Sequence, residues 1–364
     1  MSPKTRTKDD HMPKDSLDFL RNVIESPSPS GFESPVRKLM AERMETYCDE
    51  VRHDVLGNVI GVLNPGAPRR VMLAGHCDEI GLMVQHVLDD GFINFSAIGG
   101  VDTAILAGQR VVIHNARGPV AGVVGRKPIH LLEKEERDKP EKIHKMWIDI
   151  GAKNKDDAMQ AVEIGDPITV AVGVMEMRNG LVAARGFDDR IGAFVVIETL
   201  RRLKGQKLNV AVYGVSTVQE ELGLRGARTS AFGIDPHVGI AVDVGFATDH
   251  PAAEKAQVGD VKLGLGPVLH RGPNINHVAG RMLIEAAKAN SIPYQMTAEP
   301  RATGTDANAM QINRAGCAAA LMSVPNRYMH TPVEVVSKDD VENCSRLLAE
   351  FCKALAADTS FIPG

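Results

Sequence analysis

The sequence predicts an α/β fold: a three-layer α/β/α domain with a small β-barrel-like insert nested inside it. Three observations point there. The chain has 364 residues, beyond the roughly 250–300 at which a single hydrophobic core stops growing, so two cores are expected. Strand-like runs alternate with helical periodicity near both ends of the chain, as in a sheet covered by helices. Between them, from about residue 78 to 172, short β-rich runs punctuated by Gly and Pro replace the long helices.

Taken in order, residues 1–14 are polar and read as a disordered tail. Leu17–Ile24 and Ser34–Tyr47 carry apolar residues at helical spacing, and Ser30-Gly-Phe-Glu33 has the spacing of a capping box opening the second helix. Asn58–Leu63, Arg70–Ala74 and Ile80–Val84 are short apolar runs. Arg70-Val-Met-Leu-Ala-Gly75 lacks alternation, as a strand covered on both faces would. In the insert, Phe92–Ala97, Gln109–His114, Val120–Val124 and Ile168–Val172 suggest strands of a barrel or sandwich, with one helix at Lys153–Val162. The charged stretch Glu133–Lys142 reads as a solvated loop, or else as part of a channel or subunit contact. Asp188–Leu203 then predicts a strongly amphipathic helix. Strands follow at Leu208–Val215, Val238–Val244 and Cys317–Val324, with helices at Asn276–Ala289 and Asp339–Ala357. The expected division is one domain from 15–77 and 173–364, with 78–172 inserted.

Composition narrows the function. The net charge is −4 and aromatics make up 4%, with Trp147 the sole tryptophan. Neither electrostatic binding to nucleic acid or anionic membranes nor aromatic stacking platforms are expected. No run approaches 18 apolar residues, so no transmembrane helix is expected. The N-terminus lacks the apolar core of a secretory signal. Five cysteines without a C-x-x-C pair suit a reducing compartment, so the expected location is the cytoplasm.

His, Asp and Glu concentrate in five segments where predicted strands end: Gly75-His-Cys-Asp-Glu79, Phe187-Asp-Asp-Arg190, Gln219-Glu-Glu221, Val242-Asp-Val244 and Tyr328-Met-His330. Ligand crevices of open α/β sheets lie beyond the carboxyl ends of strands, so these groups can converge. Each has an ordinary explanation when taken alone. A single histidine such as His76 is usually a satisfied core residue, Asp188-Asp189 would cap a helix, and Glu220-Glu221 would begin one. Asp243, at the end of the buried run Val238–Val242, needs a partner. Imidazole with carboxylate suits Zn²⁺, Co²⁺ or Mn²⁺ better than Ca²⁺. Two like charges about 4 Å apart cost roughly 4 kcal/mol at an effective dielectric near 20. Asp188, Glu221 and Asp243 could therefore not crowd together ionised without cations, and two divalent ions would neutralise them.

The ordered set resembles the dinuclear aminopeptidases of the tetrahedral, TET-type family, relatives of glutamyl and lysyl aminopeptidases and of endoglucanase-M-like proteins. Further matching stretches are Thr217-Val-Gln-Glu-Glu-Leu-Gly223, Gly304-Thr-Asp306, Pro325-Asn-Arg-Tyr-Met-His330, Lys127-Pro-Ile-His130 and Trp147-Ile-Asp-Ile-Gly-Ala152. The resemblance implies a metallopeptidase domain holding two divalent metal ions, zinc first, with cobalt or manganese as alternatives. It implies that His76 and Asp243 hold one ion, Glu221 and His330 the other, and that Asp188 bridges both. Asp78 would orient His76, and Glu220 would be the general base acting on a bridging water. It also implies a cis peptide between Asp188 and Asp189, short peptides as substrates, dimerisation through the insert, and a twelve-subunit shell.

Other readings use the same residues differently. A metal-dependent deacylase or desuccinylase of N-acylated amino acids would share the metal chemistry. A glycosidase would instead set two carboxylates across the bond and need no metal. A non-catalytic peptide-binding assembly protein would keep the scaffold and lose turnover.

Overall fold

The computed structural model of the chain describes residues 12–133 and 139–363. The expected tail lies outside the described residues except at its end, where Lys14 already opens a helix, Lys14–Glu25. The middle of the charged stretch 133–142 also lies outside them.

Three strands precede the insert: β1 Glu50–His53, β2 Val59–Leu63 and β3 Arg70–His76. The insert contributes β4 Gly81–Val87, β5 Ile93–Ile98, β6 Arg110–Ile113, β7 Val120–Gly125, β8 Trp147–Asp149 and β9 Pro167–Val170. These six close into a barrel in the order β4-β5-β8-β7-β6-β9. Its interior is filled by Leu82, Val84, Ile93, Phe95, Ile113 and Ile168 among others, a cluster separate from the main core. Two cores are what the chain length called for.

The remaining strands are β10 Met175–Glu176, β11 Leu181–Ala184, β12 Ala211–Thr217, β13 Val238–Phe246, β14 Val268–Arg271, β15 Gln295–Ala298, β16 Ala318–Asn326 and β17 Glu334–Ser337. The main sheet has eight strands in the order β1-β2-β12-β3-β13-β16-β14-β15. Its centre, β12-β3-β13-β16, is parallel, and β3 is buried along nearly its whole length, which explains its unbroken apolar run. A small sheet, β10-β11-β17, stands beside it. Mixed α/β architecture with a nested barrel is therefore the fold.

Two local expectations fail. The helix Ser34–Glu45 has no side-chain cap; Glu33 itself is the capping position, and its carboxylate turns to accept the Gly31 N–H at 2.7 Å and that of Gln219 at 3.2 Å. The helix Phe187–Leu203 is not amphipathic but buried on almost every side. It packs on the central sheet with one face, while the helices Lys14–Glu25 and Lys338–Ala354 cover the other. Its approach to β3 is close enough to require glycine: a Cβ on Gly75 would lie 2.4 Å from the backbone of Gly192 and Ala193.

Candidate metal centre

The parallel strands bring their carboxyl ends to one rim, and the candidate side chains sit there. His76 closes β3, paired in register with Thr217, the last residue of β12. Glu220 and Glu221 follow β12 on an irregular segment, Asp243 lies within β13, and His330 follows β16. Asp188 enters from the start of the helix Phe187–Leu203, where it and Asp189 are non-helical and joined by a cis peptide. His76, Asp188, Glu220, Glu221, Asp243 and His330 all line one cavity. Asp78 does not; it is fully buried behind it.

Asp188 stands between the two histidines. Its Oδ1 is 3.2 Å from His76 Nε2, and its Oδ2 is 3.2 Å from His330 Nε2. Glu221 Oε1 lies 3.5 Å from His330 Nε2, and Glu220 Oε2 lies 3.6 Å from His76 Nε2. Among the described residues, donor atoms come within 4.8 Å of one another in three groups: His76 with Asp189 and Asp243, His76 with Glu220 and Glu221, and Asp188 with Glu221 and His330. Asp189 has other work. Its Oδ2 accepts the His76 N–H and its Oδ1 the Gly192 N–H, each at 3.1 Å.

The other ring nitrogens are also held. His330 Nδ1 lies 2.9 Å from the Gly100 carbonyl, on a loop of the insert. His76 Nδ1 lies 3.0 Å from the backbone carbonyl of Asp78, with the Asp78 carboxylate further off at 3.5 Å. If each nitrogen is protonated, it donates to its carbonyl, which leaves Nε2 free to bind a cation. The Asp78 carboxylate, expected to orient His76, also accepts the N–H groups of Glu220 at 3.0 Å and Glu221 at 3.2 Å. Gln219 precedes them with φ of 53°. That break in the strand, with both N–H groups tied to Asp78, lets neighbouring glutamates face the same cavity.

The site is rich in acid, and no Lys or Arg is among the described residues that line it. Burial, reinforced by Asp243 against the pull of His76, pushes Glu220 up to about 10. Burial and then Asp188 push Glu221 up to about 7. Burial and the neighbouring Asp188 likewise raise Asp243. Burial opposes ionisation of Asp188 too, but hydrogen bonds to His330 and His76 hold it below the usual range. The same bond to Asp188 raises His330 to about 9. Several carboxylates, most of them held back from ionising by burial, crowd the Nε2 atoms of two imidazoles, a donor set suited to divalent cations.

Sequence reasoning missed Glu334. It opens β17, and its two oxygens accept the N–H of Asp188 and of His330, each at 2.9 Å. An acid leading the apolar run Val335-Val336 is the signal that marks it. Glu79 was also passed over: its buried carboxylate binds Arg185 and Arg190, fixing the segments that lead from β3 and into Asp188.

A family model described as M42 glutamyl aminopeptidase matches residues 57–347. The chain belongs to this M42 family. A lysyl aminopeptidase of Pyrococcus furiosus is 41% identical over 334 residues, covering 91% of this chain and 94% of the relative. Among solved structures, the TET aminopeptidase of a marine sediment Thaumarchaeota archaeon superposes with a TM-score of 0.90 at 38% identity, covering 94% of this chain and 97% of that one. Pyrococcus horikoshii TET1, a peptidase that can assemble into a tetrahedron or a large octahedral shell, gives 0.84 at 29% identity, covering 93% and 100%. The M42 chain thus shares its architecture, nested barrel included, with the TET aminopeptidases.

Proposed function

We propose that this M42 chain is a metal-dependent aminopeptidase that removes the N-terminal residue of short peptides. The observation that carries the reading is Asp188, with one carboxylate oxygen toward His76 and the other toward His330. On this reading His76 and Asp243 hold one cation, Glu221 and His330 the other, and Asp188 serves both. Asp189, whose oxygens are occupied by backbone N–H groups, stays outside the ligand set. Zinc is the first candidate, with cobalt or manganese next.

When bound, such a cation pair polarises the scissile carbonyl and makes water acidic enough to attack near neutral pH. Glu220 accepts the proton of that water and returns it to the leaving amine, so one water is consumed as one peptide bond breaks. Its depth in the cavity, 9% exposed, keeps it out of bulk solvent. Asp78 is a positioning residue, holding the Glu220-Glu221 backbone in place. The acidic wall favours the free α-ammonium of a peptide N-terminus. The lack of a lining Lys or Arg among the described residues counts against a substrate bound by its α-carboxylate, as an N-acyl amino acid would be.

We further propose residues 15–77 and 173–364 as the catalytic domain and 78–172 as a dimerisation insert, with the dimer assembling into a dodecamer. No described helix is long and apolar enough to cross a membrane, and the cytoplasm remains the proposed location. Aminoacyl-nitroanilides and N-acetylated peptides, assayed after chelation and after return of each metal, test the activity. Hydrolysis that survives chelation, or that favours acylated substrates, would overturn it. Light scattering tests the assembly.

A further inference from the structure

Strand β12 loses its neighbours just before the residue proposed as the base. Ser216 is its last residue paired with β2, and Thr217 its last paired with β3. The N–H groups of residues 218–221 therefore lie beyond the ladder. Buried side chains take the ladder's place, one residue after another. The Thr217 hydroxyl donates to Asp306 Oδ2 at 2.6 Å, the Val218 N–H to Asn58 Oδ1 at 3.1 Å and the Gln219 N–H to Glu33 Oε1 at 3.2 Å. Asp78 receives the next two N–H groups, those of Glu220 and Glu221. Five successive residues are thus caught by four side chains from distant parts of the chain.

The acceptors are fixed in their turn. Glu33, Asn58, Asp78 and Asp306 are each at most 5% exposed. Glu33 Oε1 also accepts the Gly31 N–H at 2.7 Å. Asn58 Nδ2 faces Asp54 Oδ2, the Gly226 carbonyl oxygen and Thr229 Oγ1, all within 3.0 Å. The fit there is close: a Cβ on Gly226 would lie 2.5 Å from Asn58 Oδ1. Gln219, which donates to Glu33, has φ of 53°, a conformation that a residue other than glycine keeps only when its surroundings impose it.

We propose that Glu33, Asn58 and Asp306 are positioning residues for Glu220. They fix the backbone from Thr217 to Gln219, and Asp78 fixes its continuation. None of the three lines the cavity, so they act through this segment and not on substrate. A misplacement of about 1 Å at a reacting group costs on the order of 10²-fold in rate. This inference rests on the role proposed for Glu220 and extends it to the side chains behind.

The test uses the full chain loaded with metal. Glu33→Ala should lower kcat for an aminoacyl-nitroanilide about 10²-fold, with KM within about twofold of native and metal content unchanged. Glu33→Gln keeps an acceptor oxygen and should recover most of that turnover. Asp306→Asn, which can still accept the Thr217 hydroxyl, should likewise exceed Asp306→Ala. Should the alanine variants not fold, Thr217→Val removes only the bond to Asp306 and should lower kcat in the same way. Unchanged kcat, a fall matched by loss of metal, or equal turnover in Glu33→Gln and Glu33→Ala would each overturn the proposal. Amide hydrogen exchange gives a readout independent of turnover: the Gln219 and Glu220 N–H groups should exchange faster in Glu33→Ala, with the helix Phe187–Leu203 at its native rate. Native exchange at those two amides, in a chain that cleaves peptides, would overturn the positioning and keep the aminopeptidase reading. A native chain inert toward every nitroanilide, whose Glu33→Ala variant still frees these amides, would sustain the positioning and remove that reading.

Discussion

Glu334 accepts the backbone N–H of Asp188 at 2.9 Å, and with its second oxygen it accepts that of His330 at the same distance. One buried carboxylate therefore fixes the two residues that face each other across the candidate site. Such outer partners of metal ligands typically matter 10–100-fold for affinity or activity. Glu334→Ala should lose metal on dialysis to about that extent, read by metal analysis, while Glu334→Gln, which keeps one acceptor oxygen, should lose less. Native metal content in the alanine variant would separate Glu334 from the site.

Glu220→Gln preserves shape and removes the proposed base. Turnover should fall about 10²–10⁴-fold, with metal content close to native. A variant retaining full turnover would reassign the proton transfer.

Asp243→Ala and His330→Ala each remove one side chain from the proposed set at opposite ends of Asp188. Each should lower bound metal by about one ion per subunit. Metal analysis after dialysis that shows two ions in both variants would contradict the ligand assignment.

Gly75 lies under the helix start, where an added methyl would meet the Gly192 and Ala193 backbone at 2.4 Å. Gly75→Ala should lower stability by about 1–3 kcal/mol through overpacking. Because the clash pushes on the segment carrying Asp188, metal affinity should fall with it. Denaturant titration and metal analysis measure the two effects.

Glu79 carries a pH signature. Burial works against its ionisation, yet Arg185 and then Arg190 hold its carboxyl below the usual range. A depressed folded-state pKa stabilises above the unfolded value, about 4.3 for Glu, and that contribution is lost as pH falls through the lower folded value. Glu79→Gln leaves the two guanidinium groups without their buried counter-charge and should cost about 3–5 kcal/mol at pH 7. The gap between native and variant should narrow as the pH drops below about 4. Denaturation midpoints at pH 7 and in acid would show it, and a gap independent of pH would refute it.

Much of this was readable in one dimension. His76, Asp188, Glu220, Glu221, Asp243 and His330 stand beside strand ends that periodicity locates, and all six line the same cavity. The helix Phe187–Leu203 misled because its mixed residues look amphipathic, although helices and sheet cover it from both sides. The resemblance placed the Asp78 carboxylate on His76. In three dimensions that carboxylate lies 3.5 Å from His76 Nδ1, with the Asp78 backbone carbonyl nearer at 3.0 Å, and it also accepts two N–H groups more than 140 residues away.

From its residues alone, this chain determined which chemical groups reach the sheet's rim, because strand period and burial are local properties. Only the folded arrangement decided which carboxylate oxygen faces which imidazole, that Glu334 and Gly100 anchor Asp188 and His330, and that the cavity runs on to Glu299. Those contacts join backbone and side-chain atoms far apart in the chain, and the hydrogen bonds that select them leave no period in the sequence.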